Sequence, residues 1–147
     1  MFNILVHART DSYHLWQNQT SSNMEFDFDG KCLRHPFTAM VCGATQSGKT
    51  CFVQKVLEHN QEIICPHPTR IMWCYGSYQT AYDEMLKTVK PTIEFFKGVP
   101  DDLSECINPS QNNVLIIDDL MAEAGDDKSV TDLFTKGSHH MNLSIIY

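Results

Sequence analysis

Residues 36–57 decide the fold: Pro36-Phe37-Thr38-Ala39-Met40-Val41-Cys42, then Gly43-Ala44-Thr45-Gln46-Ser47-Gly48-Lys49-Thr50, then Cys51-Phe52-Val53-Gln54-Lys55-Val56-Leu57. The middle block has the spacing G-x-x-x-x-G-K-[ST] of a phosphate-binding loop, the Walker A motif. A short run rich in Phe, Val and Thr before it reads as a buried strand. After it, Phe52, Val53, Val56 and Leu57 recur at helical spacing, and Asn60 offers a helix stop. Strand, glycine loop and helix thus follow in the order that the motif needs.

The residue types explain the chemistry expected there. Gly43 and Gly48 allow the backbone to curl, so that the N–H groups of Ala44, Thr45, Gln46 and Ser47 turn inward toward phosphate oxygens. The helix opening near Gly48 presents its positive end to the same spot. Lys49 is expected to neutralise the outer phosphates as a point charge, and the Thr50 hydroxyl to ligate Mg2+. The implied ligand is ATP with Mg2+. The competing reading is a glycine-containing turn between strand and helix that binds nothing.

A second stretch, Asn113-Val114-Leu115-Ile116-Ile117-Asp118-Asp119, lies about seventy residues further on. Four branched apolar residues in a row suit a central parallel strand buried on both faces. Its two terminal carboxylates fall where open α/β sheets bind ligands. The pattern is that of a Walker B strand: Asp118 is expected to hold Mg2+, and Asp119 to orient an attacking water. For Asp119 the bland alternative is a strand-end residue that caps the next turn.

Between and around these motifs the chain reads as alternating elements. Residues 1–23 are polar and mixed, without strong periodicity, and are expected to form a poorly specified arm ahead of a domain spanning 24–147. Glu25–Asp29 alternates, and Asp29-Gly30 predicts a β-hairpin with Lys31–Arg34 as its return strand. Cys65-Pro66-His67-Pro68 is a connector, and Arg70–Tyr75 a second apolar strand. Tyr78, Ala81, Tyr82, Met85, Leu86 and Val89 fall on one helical face and predict core packing, with Pro91 as the stop. Thr92–Phe96 predicts a short strand, Asp101 a cap for a brief helix through Cys106, and Val130, Leu133 and Phe134 a later helix. Leu143–Tyr147 begins another strand, and an end in mid-strand leads to the expectation that the chain is a fragment of a longer product. The expected fold class is α/β: a three-layer P-loop NTPase core with a mainly parallel sheet, preceded by a β-hairpin and incomplete at the C-terminus.

Bulk properties narrow the partners. The 147 residues carry a formal charge of −7, which counts against a broadly basic nucleic-acid surface while permitting local contacts. Only three arginines occur, Arg9, Arg34 and Arg70, which leaves little for an arginine clamp. No apolar run approaches the ~18 residues of a membrane span, and no secretory leader is evident, so an intracellular location (cytoplasm or nucleus) is expected. The six cysteines form no C-x-x-C pair and suit free thiols in a reducing compartment, with Cys42 and Cys51 expected on buried elements. Cys65, His67 and Cys74 match no familiar zinc spacing.

The motif order places at least one strand between the Walker A and Walker B strands in the chain, which suggests an inserted strand between them in the sheet as well. A strand inserted between them in the sheet marks the P-loop branch that includes motors and helicases, whereas nucleotide kinases place the two side by side. Several further segments sharpen this. Arg34-His35-Pro36-Phe37-Thr38, Ile93-Glu94-Phe95-Phe96-Lys97-Gly98-Val99-Pro100, Val114-Leu115-Ile116-Ile117-Asp118-Asp119 and the segment from Leu133-Phe134-Thr135-Lys136-Gly137 through Ser138-His139-His140-Met141-Asn142 to Leu143-Ser144-Ile145-Ile146-Tyr147 resemble the DNA-packaging ATPases of large DNA viruses and Polinton/Maverick transposons. These belong to the FtsK/HerA superfamily of ring ATPases. The resemblance covers about residues 34–147, and the Ser138-His139-His140 segment discriminates best. It implies Mg2+-ATP hydrolysis by a homo-oligomeric ring that threads double-stranded DNA in the full-length protein, with no membrane partner. It also implies a polar Gln or Asn sensor following Tyr147 and, in many relatives, an Arg where Met141 stands. His139 and His140 are read either as contacts to phosphate or a neighbouring subunit, or as loop caps. Two alternatives stay open: a non-catalytic nucleotide-binding remnant, and a small-molecule or nucleoside kinase.

Overall fold

The computed structural model describes residues 2–8, 12–17, 32–100, 103–120 and 140–147. The chain is an α/β protein built on a mainly parallel sheet. Its strands are β1 (Phe2–Ala8), β2 (Ser12–Gln17), β3 (Leu33–Arg34), β4 (Phe37–Gly43), β5 (Ile64–Cys65), β6 (Arg70–Tyr75), β7 (Ile93–Lys97), β8 (Asn113–Asp118) and β9 (Leu143–Ile146). The helices are α1 (Lys49–Glu58), α2 (Asn60–Ile63), α3 (Ala81–Thr88) and α4 (Leu103–Cys106).

Seven strands form one sheet in the order β2-β1-β4-β9-β8-β6-β7. The five from β4 to β7 in that order are parallel, while β1 pairs antiparallel with both β2 and β4. The strand between the two motif strands is therefore β9, the last in the chain. Neither β6 nor β7, which intervene in sequence, takes that place. β9 is bonded into β4 by Val41 N–H donating to the Tyr147 carbonyl (2.6 Å) and Tyr147 N–H donating to that of Ala39 (3.0 Å). On its other side Leu143, Ser144, Ile145 and Ile146 register with Asn113, Val114, Leu115 and Ile116.

Strand burial follows from this order. In β6 and β8, residues alternate between two apolar layers: Ile71, Trp73, Val114 and Ile116 face one, and Met72, Cys74, Leu115 and Ile117 the other. The first layer is closed by Phe52, Val53, Val56 and Leu57 of α1 with Tyr82 and Met85 of α3. The second is closed by Leu103 of α4, Ile107 and Leu120. A strand covered on both faces has no polar alternation to display, which is why the Val114–Ile117 run is continuous.

Several expectations need correction. Residues 2–8 and 12–17, expected within a poorly specified arm, are paired strands that extend the main sheet, with Phe2 opposite Gly43 and Ala8 opposite Phe37. The hairpin expected at Asp29-Gly30 lies largely outside the described residues. Its return strand, Leu33–Arg34, pairs in parallel with Ile64–Cys65 as a separate two-stranded sheet. The stripe on α3 buries Tyr82, Met85 and Val89, but Tyr78 is 57% and Leu86 40% exposed. Helical spacing does not apply to Tyr78, because α3 begins at Ala81. Cys42 and Cys51 are exposed, since Cys42 falls at the end of β4 and Cys51 on the outer side of α1. Among the six thiols, all free, only Cys74 is buried, and burial pushes it up to about 11. The helix expected around Val130–Phe134 and the cap at Asp101 lie outside the described residues. No helix among the described residues is long and apolar enough to cross a membrane.

Candidate functional site

The carboxyl ends of β4, β9, β8 and β6 open beneath the start of α1 into a cavity of about 300 Å³. Its polar lining is Lys49, Thr50, Asp118 and Asp119, and its apolar wall includes Val41, Val53, Trp73, Ile116 and Ile146. Two groups of residues quoted from distant stretches of sequence thus share one space. The crevice at strand carboxyl ends is where open parallel sheets take ligands.

The loop that closes the cavity is curled by two residues with positive φ, Gln46 (61°) and Gly48 (93°). Gly48 adopts the left-handed conformation expected of it, whereas Gly43 ends its strand without a positive φ and Gln46 supplies the other bend. Ser47 N–H donates to the Ala44 carbonyl at 3.1 Å, closing the turn. Gly48 caps α1 with no side-chain hydrogen bond, and no acidic residue lies in the first helical turn. The positive end of α1 is therefore left uncompensated. Ser47 Oγ is buried with no hydrogen-bond partner, an arrangement that costs free energy unless something completes it. Lys49 Nζ folds back over the loop and donates to the carbonyls of Gly43 (2.9 Å) and Ala44 (3.0 Å).

On the opposite wall, Asp118 is half-buried at the end of β8. Burial pushes its carboxyl above the usual carboxylate range, and the neighbouring Asp119 adds to that; hydrogen bonding from Tyr82 and the charge of Lys49 work the other way. Tyr82 Oη donates to Asp118 Oδ2 at 3.0 Å, and Gln79 Nε2 reaches the same oxygen at 3.5 Å. Tyr82 is itself pushed well above the ordinary phenol value by burial and by the nearby Asp118. Trp73 Nε1 is buried close to both groups without meeting hydrogen-bond geometry. Asp119 is exposed with φ of 57°. Its carbonyl lies 3.2 Å from where a Cβ on Gly76 would stand, so β6 and β8 approach closely there.

Among the described residues no group of three or more His, Cys, Asp or Glu is placed to hold a metal. Mg2+ does not require one, because it is held by one or two protein oxygens and completes its shell with phosphate and water. Thr50 and Asp118 bring hard oxygen donors to the lining of one cavity, the donor type that this ion takes. Cys65, His67 and Cys74 do not meet as a cluster.

Two features were not read from the sequence. The sequence pattern places Tyr82 in a core stripe and Gln79 in no motif, although a tyrosine in such a stripe carries a hydroxyl that must find a partner. His35 stands in the sequence only as part of the segment 34–38. In the structure its Nε2 faces the Asn142 carbonyl (3.2 Å) and Oδ1 (3.1 Å), and its Nδ1 contacts Ser144 Oγ at 2.6 Å. With two acceptors before it, Nε2 carries the proton, and Nδ1 accepts from the Ser144 hydroxyl. Ser144 Oγ in turn accepts from Phe37 N–H (3.0 Å). Segments 34–38 and 142–144 are thus held together at the other end of the sheet from the cavity. Ser138 and His139 lie outside the described residues, and His140 is exposed away from the cavity lining.

Comparison with known proteins returns no matching family model, no matching curated protein and no matching solved structure.

Proposed function

We infer that the chain is an Mg2+-dependent ATPase subunit of the kind that packages or translocates DNA in large viruses and Polinton-type transposons. One observation carries the reading. Lys49 and Thr50 after a glycine loop, and Asp118 and Asp119 at the end of a strand buried on both faces, line a single cavity. Lys49 on the far side of the molecule from Asp118 would have removed the basis for it.

The residues divide the work. The loop from Gly43 to Gly48 and the uncompensated start of α1 offer N–H donors to a polyphosphate. Phosphate oxygens would compete with the Gly43 and Ala44 carbonyls for the Lys49 ammonium and draw it toward the outer phosphates. Thr50 and Asp118 would hold Mg2+, which when bound neutralises charge on the β- and γ-phosphates. Asp119, exposed at the cavity lip, is the residue to orient an attacking water.

The position of β9 favours the motor and helicase branch over a nucleotide kinase, because β4 and β8 are not neighbours. The ring and the duplex follow from the resemblance of residues 34–38, 93–100, 114–119 and 133–147. With a formal charge of −7, DNA contact would be confined to a few pore-lining groups.

The test is ATP hydrolysis by the full-length protein with and without double-stranded DNA. Turnover raised severalfold by duplex DNA is the expected result. Release of a phosphorylated metabolite would replace this reading with a kinase, and ATP binding without hydrolysis would replace it with a non-catalytic nucleotide binder.

A further inference from the structure

Asp118 does not stand alone at the end of β8. Its Oδ2 is engaged by Tyr82 Oη at 3.0 Å and, at longer range, by Gln79 Nε2 at 3.5 Å. Both donors come from α3 and the turn before it, which contribute no residue to the lining of the cavity. The Tyr82 ring is 1% exposed and fixed by its neighbours. Phe95 stacks on it with centroids 4.9 Å apart, and Trp73 and Tyr75 approach at 5.6 and 5.3 Å. The place of the hydroxyl is therefore set by core packing, whereas the acid is only half-buried and has its own torsions to settle.

Packing alone would be served by phenylalanine at this position. The hydroxyl adds a donor aimed at one carboxylate oxygen, Oδ2, which restrains the orientation of the carboxylate. Carboxylates that ligate metals are characteristically held this way by outer hydrogen bonds, and loss of such a partner weakens metal affinity about 10- to 100-fold.

We propose that Tyr82 is a positioning residue for the metal-binding carboxylate, with Gln79 as its weaker auxiliary. The proposal rests on the ATPase reading and deepens it: it names what makes Asp118 a competent ligand. Tyr82 touches neither nucleotide nor reacting water, and it acts only through Asp118.

The experiment uses the whole chain, a fluorescent ATP analogue and a Mg2+ titration, with a parallel nucleotide titration in excess chelator. Tyr82→Phe is expected to raise the Mg2+ concentration for half-maximal nucleotide binding about tenfold. Metal-free nucleotide binding and the circular dichroism spectrum should stay as in the parent. A purely structural tyrosine would move metal-free binding as well. In an Asp118→Asn background the same substitution should add less than about a twofold effect, since the carboxylate that the tyrosine positions as a metal ligand is gone. A Mg2+ requirement within twofold of the parent, or an equal penalty in the Asp118→Asn background, overturns the proposal while leaving the ATPase reading intact. Should Tyr82→Phe fail to fold, Gln79→Leu, outside the aromatic cluster, replaces it with an expected rise of about two- to threefold; no rise overturns the proposal. Failure of the parent chain to bind the analogue at all overturns the ATPase reading, and the proposal with it.

Discussion

The two ends of the parallel sheet are built from similar residue types and handle them oppositely. At the amino ends of β4, β8 and β9 the polar groups close on one another. Asn113, fully buried, donates through Nδ2 to the carbonyls of Asn108 (2.8 Å) and Gln111 (2.9 Å), and more distantly to those of Met141 and Asn142. Asn142 Nδ2 donates to the Gln111 carbonyl and to Asn112 Oδ1, and His35 joins Asn142 to Ser144. One acceptor, Asn113 Oδ1, is left over. At the carboxyl ends the surplus is larger: Ser47 Oγ without a partner, a helix start without a side-chain cap, a half-buried acid and a lysine whose hydrogen bonds among the described residues go to loop carbonyls. A fold that satisfies polar groups so completely at one end has the means to do so at the other. On the reading proposed above, the carboxyl end is the one prepared for a ligand, and the amino end the one that holds the strands in register.

The comparison can be broken most sharply with Lys49→Ala. Nucleotide affinity or turnover is expected to fall at least about a hundredfold, roughly 3 kcal/mol, with the thermal midpoint little changed. A variant that binds the ATP analogue like the parent would remove the carboxyl-end site. Asn113→Ala should do the reverse. It strips the donor from several carbonyls at once and is expected to cost about 2–3 kcal/mol in denaturant unfolding, while the folded fraction binds nucleotide normally. Loss of binding out of proportion to loss of fold would show the two ends to be coupled.

The smallest effect concerns His35. Burial holds it below its ordinary value of 6.5, against the opposing hydrogen bonds to Asn142, so the native state favours the neutral ring. The unfolded chain then binds more protons than the folded one just below that value. The contribution is fully present above about pH 6.5 and is lost as the pH falls toward the depressed native value. His35→Gln should flatten the fall in stability between about pH 7 and 5 by up to about 1 kcal/mol, read from unfolding curves at the two pH values. An identical slope in both proteins would mean that His35 does not titrate differently on folding.

What could be read from sequence was what local pattern encodes. The strand before Gly43, the helix after Gly48, the doubly buried run Val114–Ile117 and the strand at Leu143–Ile146 all carry their periodicity within a few residues. Lys49, Thr50, Asp118 and Asp119 could be picked out from their motifs, and the four line one cavity. Pairing did not show, because it is a long-range property. Nothing near Phe2–Ala8 announces seven partners in Phe37–Gly43, and nothing near Leu143 announces neighbours on both β4 and β8. Tyr82 shows a different limit. Its apolar ring fitted the helical stripe, and the direction of its hydroxyl depends on β8, thirty-six residues away.

The place of β9 has a dimensional consequence. Because one fully buried ribbon separates the glycine loop from the acid, the two walls stand two strand spacings apart, about 10 Å. Adjacent strands would halve that gap. β9 thus acts as a shim that sets the width of the cleft, and its Ile145 and Ile146, which touch β4 on one side and β8 on the other, are the gauge.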